Sequence, residues 1–198
     1  MVHKLEAQFV KSAARPEHFP SERTYQGLTE IAFLGRSNVG KSTLLNALAG
    51  NGKIAFTSAT PGRTQLINFF RVGDDFMFVD LPGYGYAKVP VDIVRDWHTL
   101  IEQYLAGRDS LKLCVLLLDA RRGWMDKDRQ LREWLEHQGR PYIVVATKID
   151  KLTQSERQRG LAAIRKESGG DIFPVSAPTG RGVRELWQTI WKTNQIHQ

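Results

Sequence analysis

The sequence predicts a three-layer α/β fold: a mostly parallel six-stranded sheet with one antiparallel hairpin strand, covered by helices on both faces. Three observations carry this. From residue 29 onward, short apolar runs alternate with amphipathic stretches at helical spacing. Residues 113–118 are apolar without interruption, the pattern of a central parallel strand with helices on each side. The chemically distinctive segments begin where such runs end, and sheets of this kind bind ligands at the carboxyl ends of their strands.

Residues 1–24 are loosely patterned. Leu5, Ala7 and Phe9 alternate as in a short strand, and Arg15-Pro16 and Phe19-Pro20 break the chain. This stretch reads as an arm packed on the edge of a domain spanning 25–198. Residues 31–35 are apolar and end in glycine, and 41–49 carry good helix formers. Residues 66–72 and 76–79 flank Gly73-Asp74-Asp75, which reads as a hairpin turn. Val94, Trp97, Ile101, Tyr104 and Leu105 share one helical face and read as core. A buried strand over 113–119 follows, then a helix with Leu131, Trp134 and Leu135 on its apolar face. Residues 142–146 form another strand, 155–166 a polar helix and 172–175 the last strand. Val183, Leu186, Trp187 and Ile190 line a closing helix.

The 198 residues hold 28 Lys plus Arg against 21 Asp plus Glu, a net charge of +7. That excess favours a polyanionic partner: nucleic acid, an acidic membrane surface or a phosphorylated ligand. A hydrophobic share of 41% with 25% charged residues excludes collagen-like, coiled-coil and disordered classes. Cys114 is the single cysteine and lies in an apolar run, so an intramolecular disulfide is excluded and a buried thiol in a reducing compartment is expected. His3, His18, His98, His137 and His197 show no metal-ligand spacing. The first twenty residues lack the apolar stretch of a secretory signal, and no run approaches the ~20 residues of a membrane span. The expectation is a cytoplasmic protein with no membrane span.

Gly35-Arg36-Ser37-Asn38-Val39-Gly40-Lys41-Ser42 matches the P-loop pattern, following a predicted strand and opening a helix. The glycines let backbone N–H groups curl around phosphate oxygens, and the helix N-terminus adds positive potential. Lys41 reaches the β and γ oxygens, and the Ser42 hydroxyl suits Mg²⁺. Asp80-Leu81-Pro82-Gly83 follows a strand; it is either an ordinary turn or a carboxylate holding Mg²⁺ through water, with a glycine N–H for the γ-phosphate. Thr147-Lys148-Ile149-Asp150 follows another. Asp150 can accept from N1 and N2 of guanine, which adenine does not offer, and the Lys148 stem can cover the purine face. Ser176-Ala177 can supply a backbone N–H to the guanine O6. Thr64, in Thr60-Pro-Gly62-Arg63-Thr64, stands where a switch threonine completes a magnesium shell, or is a plain loop residue.

These motifs occur in the order of a translation-factor-class GTPase. GRSNVGKS, TPGRTQLINFF, DLPGYGYA and TKID resemble the EngB (YihA/YsxC) family of bacterial GTP-binding proteins, over about residues 5–195. The resemblance implies a Ras-like P-loop GTPase fold and a GTP-binding protein needed for late assembly of the large ribosomal subunit. It also implies a role in normal cell division and septation. By position, Gly35 to Ser42 bind phosphate, and Ser42 with Thr64 bind Mg²⁺. Gly62, Arg63, Thr64, Gln65 and Leu66, with Asp80, Leu81, Pro82 and Gly83, contact nucleotide as switches. Thr147, Lys148, Ile149 and Asp150 read guanine, while Val175, Ser176 and Ala177 close over the base.

Two departures from the wider GTPase pattern bear on mechanism. The base motif opens with Thr147 rather than asparagine, so a hydroxyl replaces the amide that bridges to the P-loop. Tyr84 follows Asp80-Leu81-Pro82-Gly83, where Ras-like enzymes place the glutamine that orients water, and slow hydrolysis is expected. Asn38 resembles the asparagine with which potassium-activated GTPases hold K⁺ against the phosphates; the plainer reading is a brace for the loop. Arg63 is either an internal finger or a contact to RNA or solvent.

Arg121, Arg122, Lys127, Arg129 and Arg132 form one basic cluster, and Arg157, Arg159, Arg165 and Lys166 another, with Arg181 and Arg184 near the last helix. A solvated helix face is the default for such clusters, and contact with ribosomal RNA phosphates is the functional reading. Trp124 stacks on a base or caps the core. Together these features predict a monomeric switch that binds GTP or GDP and a large-subunit precursor. A signalling switch with a protein partner in cell division and no RNA contact is the alternative. An ATP-dependent kinase is disfavoured by the guanine-reading TKID.

Overall fold

A computed structural model describes residues 6–50, 66–84 and 91–196, the last stretch without the side chains of 91–98, 194 and 196. In chain order the elements are β1 (Ala7–Ala13), β2 (Thr29–Gly35), α1 (Lys41–Leu48), β3 (Ile67–Val72), β4 (Phe76–Asp80), α2 (Val91–Gly107), β5 (Leu111–Asp119), α3 (Asp126–His137), β6 (Tyr142–Thr147), α4 (Gln154–Ser168), β7 (Ile172–Pro174) and α5 (Val183–Ile196).

The strands form one sheet in the order β1-β3-β4-β2-β5-β6-β7. β2 is parallel to β4 and β5, and β5, β6 and β7 continue in that sense. β3 runs antiparallel to both of its neighbours, β4 and β1. β3 is therefore the one reversed strand among the seven. The sheet is a strand wider than the six expected, because the N-terminal arm adds β1 to the edge of β3, with Ala7 opposite Val72 and Ala13 opposite Ile67. Phe9 on that strand is exposed yet sets its ring edge-on to Phe70, 5.7 Å between centroids.

All seven residues of β2 are buried, and their alternation divides the core. Ile31 and Phe33 join Leu44 and Leu45 of α1 and Leu186 and Ile190 of α5 on one face. Ala32 and Leu34 join Tyr104 and Leu105 of α2 and Leu135 of α3 on the other. Of the predicted helical face in α2, Tyr104 and Leu105 are core and Ile101 packs against it; Val94 and Trp97, like Leu5, lie outside the described side chains. Cys114 is fully buried, and burial pushes its thiol up to about 12. No helix among the described residues is long and apolar enough to cross a membrane.

At the amino end of β2 a buried polar network replaces apolar packing. Glu30 accepts the Tyr104 hydroxyl at 2.8 Å and is ion-paired with Arg108, whose Nη1 also donates to the Pro20 carbonyl at 2.9 Å. Arg140 in turn donates to the Ala106 and Arg108 carbonyls at 2.6 and 3.1 Å. The end of α2 is thereby tied to the sheet, to the arm and to the start of β6. Every member is paired, the condition under which buried charge is tolerated.

Candidate functional site

The carboxyl ends of β2, β4, β5 and β6 converge on one edge of the sheet, and the predicted segments 35–42, 80–83 and 147–150 follow β2, β4 and β6 there. The chain leaves β2 at Gly35 and turns through Asn38 (φ 60°) and Gly40 (φ 104°) before α1 begins at Lys41. Gly40 occupies the N-cap in the left-handed region, where a side chain is strained and glycine is not. A Cβ on Gly35 would lie 2.8 Å from Val39 Cγ1 and 3.1 Å from the Leu117 carbonyl oxygen, so the loop closes only over a bare α-carbon.

The segment after β4 runs alongside this loop. Leu81 donates to the Phe33 carbonyl at 3.2 Å, Tyr84 to the Gly35 carbonyl at 3.3 Å, and the Ser37 N–H returns to the Tyr84 carbonyl at 3.0 Å. Gly83 passes so close that a Cβ there would stand 3.0 Å from the Ser37 nitrogen. The Lys41 ammonium is ion-paired with the Asp80 carboxylate, both nearly buried. Asp80 thus reaches the start of α1, beside Ser42.

That arrangement suits phosphate and a hard cation. The Ser37 hydroxyl is buried and has no partner among the described residues, inside a loop whose glycines admit close approach of a ligand. Ser42 and Asp80 offer oxygen donors only, the chemistry that Mg²⁺ prefers. Gly62, Arg63, Thr64 and Gln65 lie outside the described residues; Leu66, the last of that predicted segment, is exposed.

The base-reading segment is joined to the phosphate loop by two contacts. Thr147 ends β6 fully inside the fold, and its hydroxyl lies 2.6 Å from the Val39 carbonyl and 3.0 Å from that of Leu118. The hydroxyl therefore keeps the bridge that an asparagine amide would make. Lys148, at φ 59°, donates its ammonium to the Asn38 carbonyl. Ile149 anchors the turn in the core. Asp150 accepts the Ser176 hydroxyl at 2.8 Å, and that bond holds its carboxyl below the usual range.

Val175 follows β7 and is tied to β6 through its N–H on the Ala146 carbonyl, 2.8 Å away. The Ser176 N–H is given to the Arg181 carbonyl at 2.9 Å, which leaves Ala177 as the residue of the pair with a backbone donor to offer.

Two further contacts follow no sequence motif, and a third decides between the two readings of Trp124. Tyr84 turns its hydroxyl onto Asp128 of α3, at 2.8 Å. Asp119, at the end of β5, is held by Arg121 and lies 3.2 Å from the Lys148 ammonium. Trp124 is buried, its indole N–H directed to Ile164 and Ser168 and its ring under the Arg132 guanidinium, 4.9 Å to the centroid. Trp124 therefore caps the core and is not available to stack on a base. The first basic cluster is also partly neutralised: Arg129 pairs with Glu167 and Asp126, and Arg132 lies near Glu136, while Arg122 and Lys127 are exposed.

The family model described as the 50S ribosome-binding GTPase matches residues 30–148. The chain is 61% identical to the probable GTP-binding protein EngB of Solibacter usitatus, over 96% of this chain and 97% of that one. A crystal structure of a probable GTP-binding protein engB superposes with a TM-score of 0.70 over 85% of this chain and all of the other, at 24% identity. A crystal structure of Era in complex with MgGDPNP and nucleotides of 16S ribosomal RNA superposes with a TM-score of 0.67 at 28% identity, over 84% of this chain and 57% of that one.

Proposed function

The chain belongs to the EngB family of GTP-binding proteins, and we propose from that membership that it is a slow GTPase switch acting in late assembly of the large ribosomal subunit. On this reading it works in the cytoplasm as a monomer and is required for normal cell division and septation.

The observation that best supports a guanine-nucleotide switch is the junction of the two loops. Thr147 meets the Val39 carbonyl and Lys148 the Asn38 carbonyl, so the phosphate cradle and the base reader form one hydrogen-bonded unit. In the proposed arrangement residues 35–42 hold the phosphates and Lys41 exchanges its Asp80 partner for phosphate oxygens. Asp150 takes N1 and N2, Lys148 covers the base, and Ala177 donates to O6. Mg²⁺, when bound, neutralises charge between the terminal phosphates; Ser42 and Thr64 would hold it directly and Asp80 through water. Residues 62–66 and 80–83 respond to the γ-phosphate. Asn38 is the candidate K⁺ ligand, and K⁺ there would stabilise charge that develops during hydrolysis.

The ribosomal part of the reading draws on the family and on the +7 charge. Exposed Arg122 and Lys127, with the cluster on α4, suit rRNA phosphates. Charge alone would bind any RNA with little nucleotide dependence, so the switch must add differential affinity. The test is pelleting with purified ribosomal subunits at two salt concentrations, with GTP and with GDP. Large subunits should retain the GTP form more tightly, and retention should fall steeply with salt. Equal pelleting in both states removes the switch, and no pelleting favours a protein partner in cell division.

A further inference from the structure

Asp119 closes β5, and no motif marks it. Its Oδ1 accepts the Arg121 main-chain N–H at 3.1 Å and the Arg121 Nε at 2.9 Å; its Oδ2 accepts Arg121 Nη2 at 2.6 Å and lies 3.2 Å from Lys148 Nζ. Burial raises this carboxyl's pKa, but the hydrogen bonds from Arg121, and then from Lys148, outweigh it and leave it at about 2. Asp119 is a permanent anion at the rim of the base-reading segment.

Lys148 needs such a fixture. Its φ of 59° lies in the left-handed region, which lysine adopts only against local steric preference, so neighbouring contacts must over-determine it. An ammonium on a four-carbon stem with one carbonyl partner is free to swing about that partner. A second, rigid anchor defines where Nζ sits and therefore where the stem lies. The two-pronged Arg121 pair supplies that rigidity, because a guanidinium fork fixes both the position and the plane of a carboxylate.

We propose that Asp119 and Arg121 are positioning residues for Lys148, a relay that holds the lysine stem across the purine face. The proposal rests on the guanine-site reading above. It also removes Arg121 from the basic cluster in which its charge alone would place it: two of its guanidinium nitrogens and its backbone N–H are committed to Asp119.

The experiment is release of fluorescent GDP from the full chain, by stopped flow, in Asp119→Asn, Arg121→Gln, Lys148→Ala and the double variant Arg121→Gln/Lys148→Ala. Asp119→Asn should release GDP roughly tenfold faster, the effect of losing one charge-assisted bond. Arg121→Gln should act in the same direction, and Arg121→Lys, which keeps the charge but loses the fork, should fall between it and the parent. The double variant should be no faster than Lys148→Ala alone, since Arg121 acts through the lysine. The preference for GDP over IDP, set by Asp150 at the exocyclic amine, should stay at the parent value in Asp119→Asn. An additive double variant, or parental release in Arg121→Gln and Asp119→Asn while Lys148→Ala is fast, overturns the relay alone. Parental release in Lys148→Ala overturns the relay together with the base-site reading.

Discussion

Tyr84 donates its phenolic hydrogen to Asp128 across 2.8 Å, joining the residue after Gly83 to the first turn of α3. The same carboxylate accepts the Met125 N–H at 3.0 Å and so closes the helix N-terminus. Burial first, and then the Asp128 charge, push the phenol far above its usual range. Tyr84 is thus a neutral donor with its hydrogen already engaged, and it is turned toward α3 at the position where Ras-like enzymes keep a water-orienting amide.

Tyr84→Phe should therefore cost stability and leave hydrolysis alone. Removing the donor leaves a buried acceptor short of one bond, a loss of about 1–3 kcal/mol. For a chain of this size each kcal/mol lowers the melting temperature by roughly 2–4 °C. Single-turnover hydrolysis should stay slow, on the order of 10⁻⁴ to 10⁻² s⁻¹, and within about twofold of the parent. A tenfold slower variant with unchanged melting would assign the phenol to the chemistry.

Asp150→Asn should weaken GTP and favour xanthosine nucleotides, whose O2 presents an acceptor to the new amide. The shift in preference should be at least about tenfold, since a site built around specific donors rejects a partner lacking them. Titration with labelled GTP, XTP and ATP reads it, and equal ATP and GTP affinity in the parent would remove the base assignment.

The pH dependence has a definite sign. The Ser176 hydroxyl lowers the Asp150 carboxyl below its unfolded value, and the bonds to Asp119 bring that group to about 2. Groups with depressed folded values contribute in full above the unfolded value near 3.9 and are lost as pH falls toward the folded one. The stability that these two carboxylates contribute should be flat from pH 8 to about 5 and decline only below about 4, as read by urea denaturation across that range. A decline centred near pH 6 would point to a different titrating group.

Exchanging Na⁺ for K⁺ should raise the hydrolysis rate, and Asn38→Ala should abolish the rise. Asn38 stands exposed at φ 60° in the middle of the phosphate loop, with its carbonyl on Lys148. Equal rates in the two salts would leave Asn38 as a brace.

Gly182→Ala should destabilise the fold far more than Gly180→Ala. Both lie near φ 75°, but a Cβ on Gly182 would stand 2.1 Å from the Pro174 carbonyl oxygen, whereas one on Gly180 meets nothing within 4 Å. Gly180→Ala should cost about 1–2 kcal/mol for the left-handed backbone, and Gly182→Ala about 3 kcal/mol or more. Because Gly182 lets the chain fold back so that Ser176 pairs with Arg181, GDP release should also quicken in the Gly182 variant. Urea denaturation and GDP release together read both effects.

The parts of the molecule that were readable in the sequence are those set by local pattern. The GRSNVGKS segment matches a phosphate loop between a strand and a helix, and the short apolar runs of β2, β5 and β6, each ending at a loop signal, fit a buried parallel sheet. What escaped was decided by pairs far apart in the chain. β1 joins the sheet through β3, some sixty residues on, and Phe9 gives no inward pattern because it faces out. Arg121 counts as a surface cation by composition, since charge does not name its partner. Trp124 had equal claims to solvent and core until α4 supplied Ile164 and Ser168. Tyr84 and Asp128 are 44 residues apart, and neither belongs to a spacing rule.

The buried Glu30–Arg108–Tyr104 network gives α2 a pivot. The helix runs from Val91 to Gly107, about 25 Å at 1.5 Å per residue, and its last turn is clamped to the sheet, the arm and Arg140. A tilt of ~5° about that clamp sweeps the first turn by ~2 Å while Leu105 moves by a few tenths of an ångström. The helix is a lever whose short arm, from Tyr104 onward, is fixed in the core. A tilt about that clamp is therefore largest at Val91 and smallest at Tyr104, whose packing it spares.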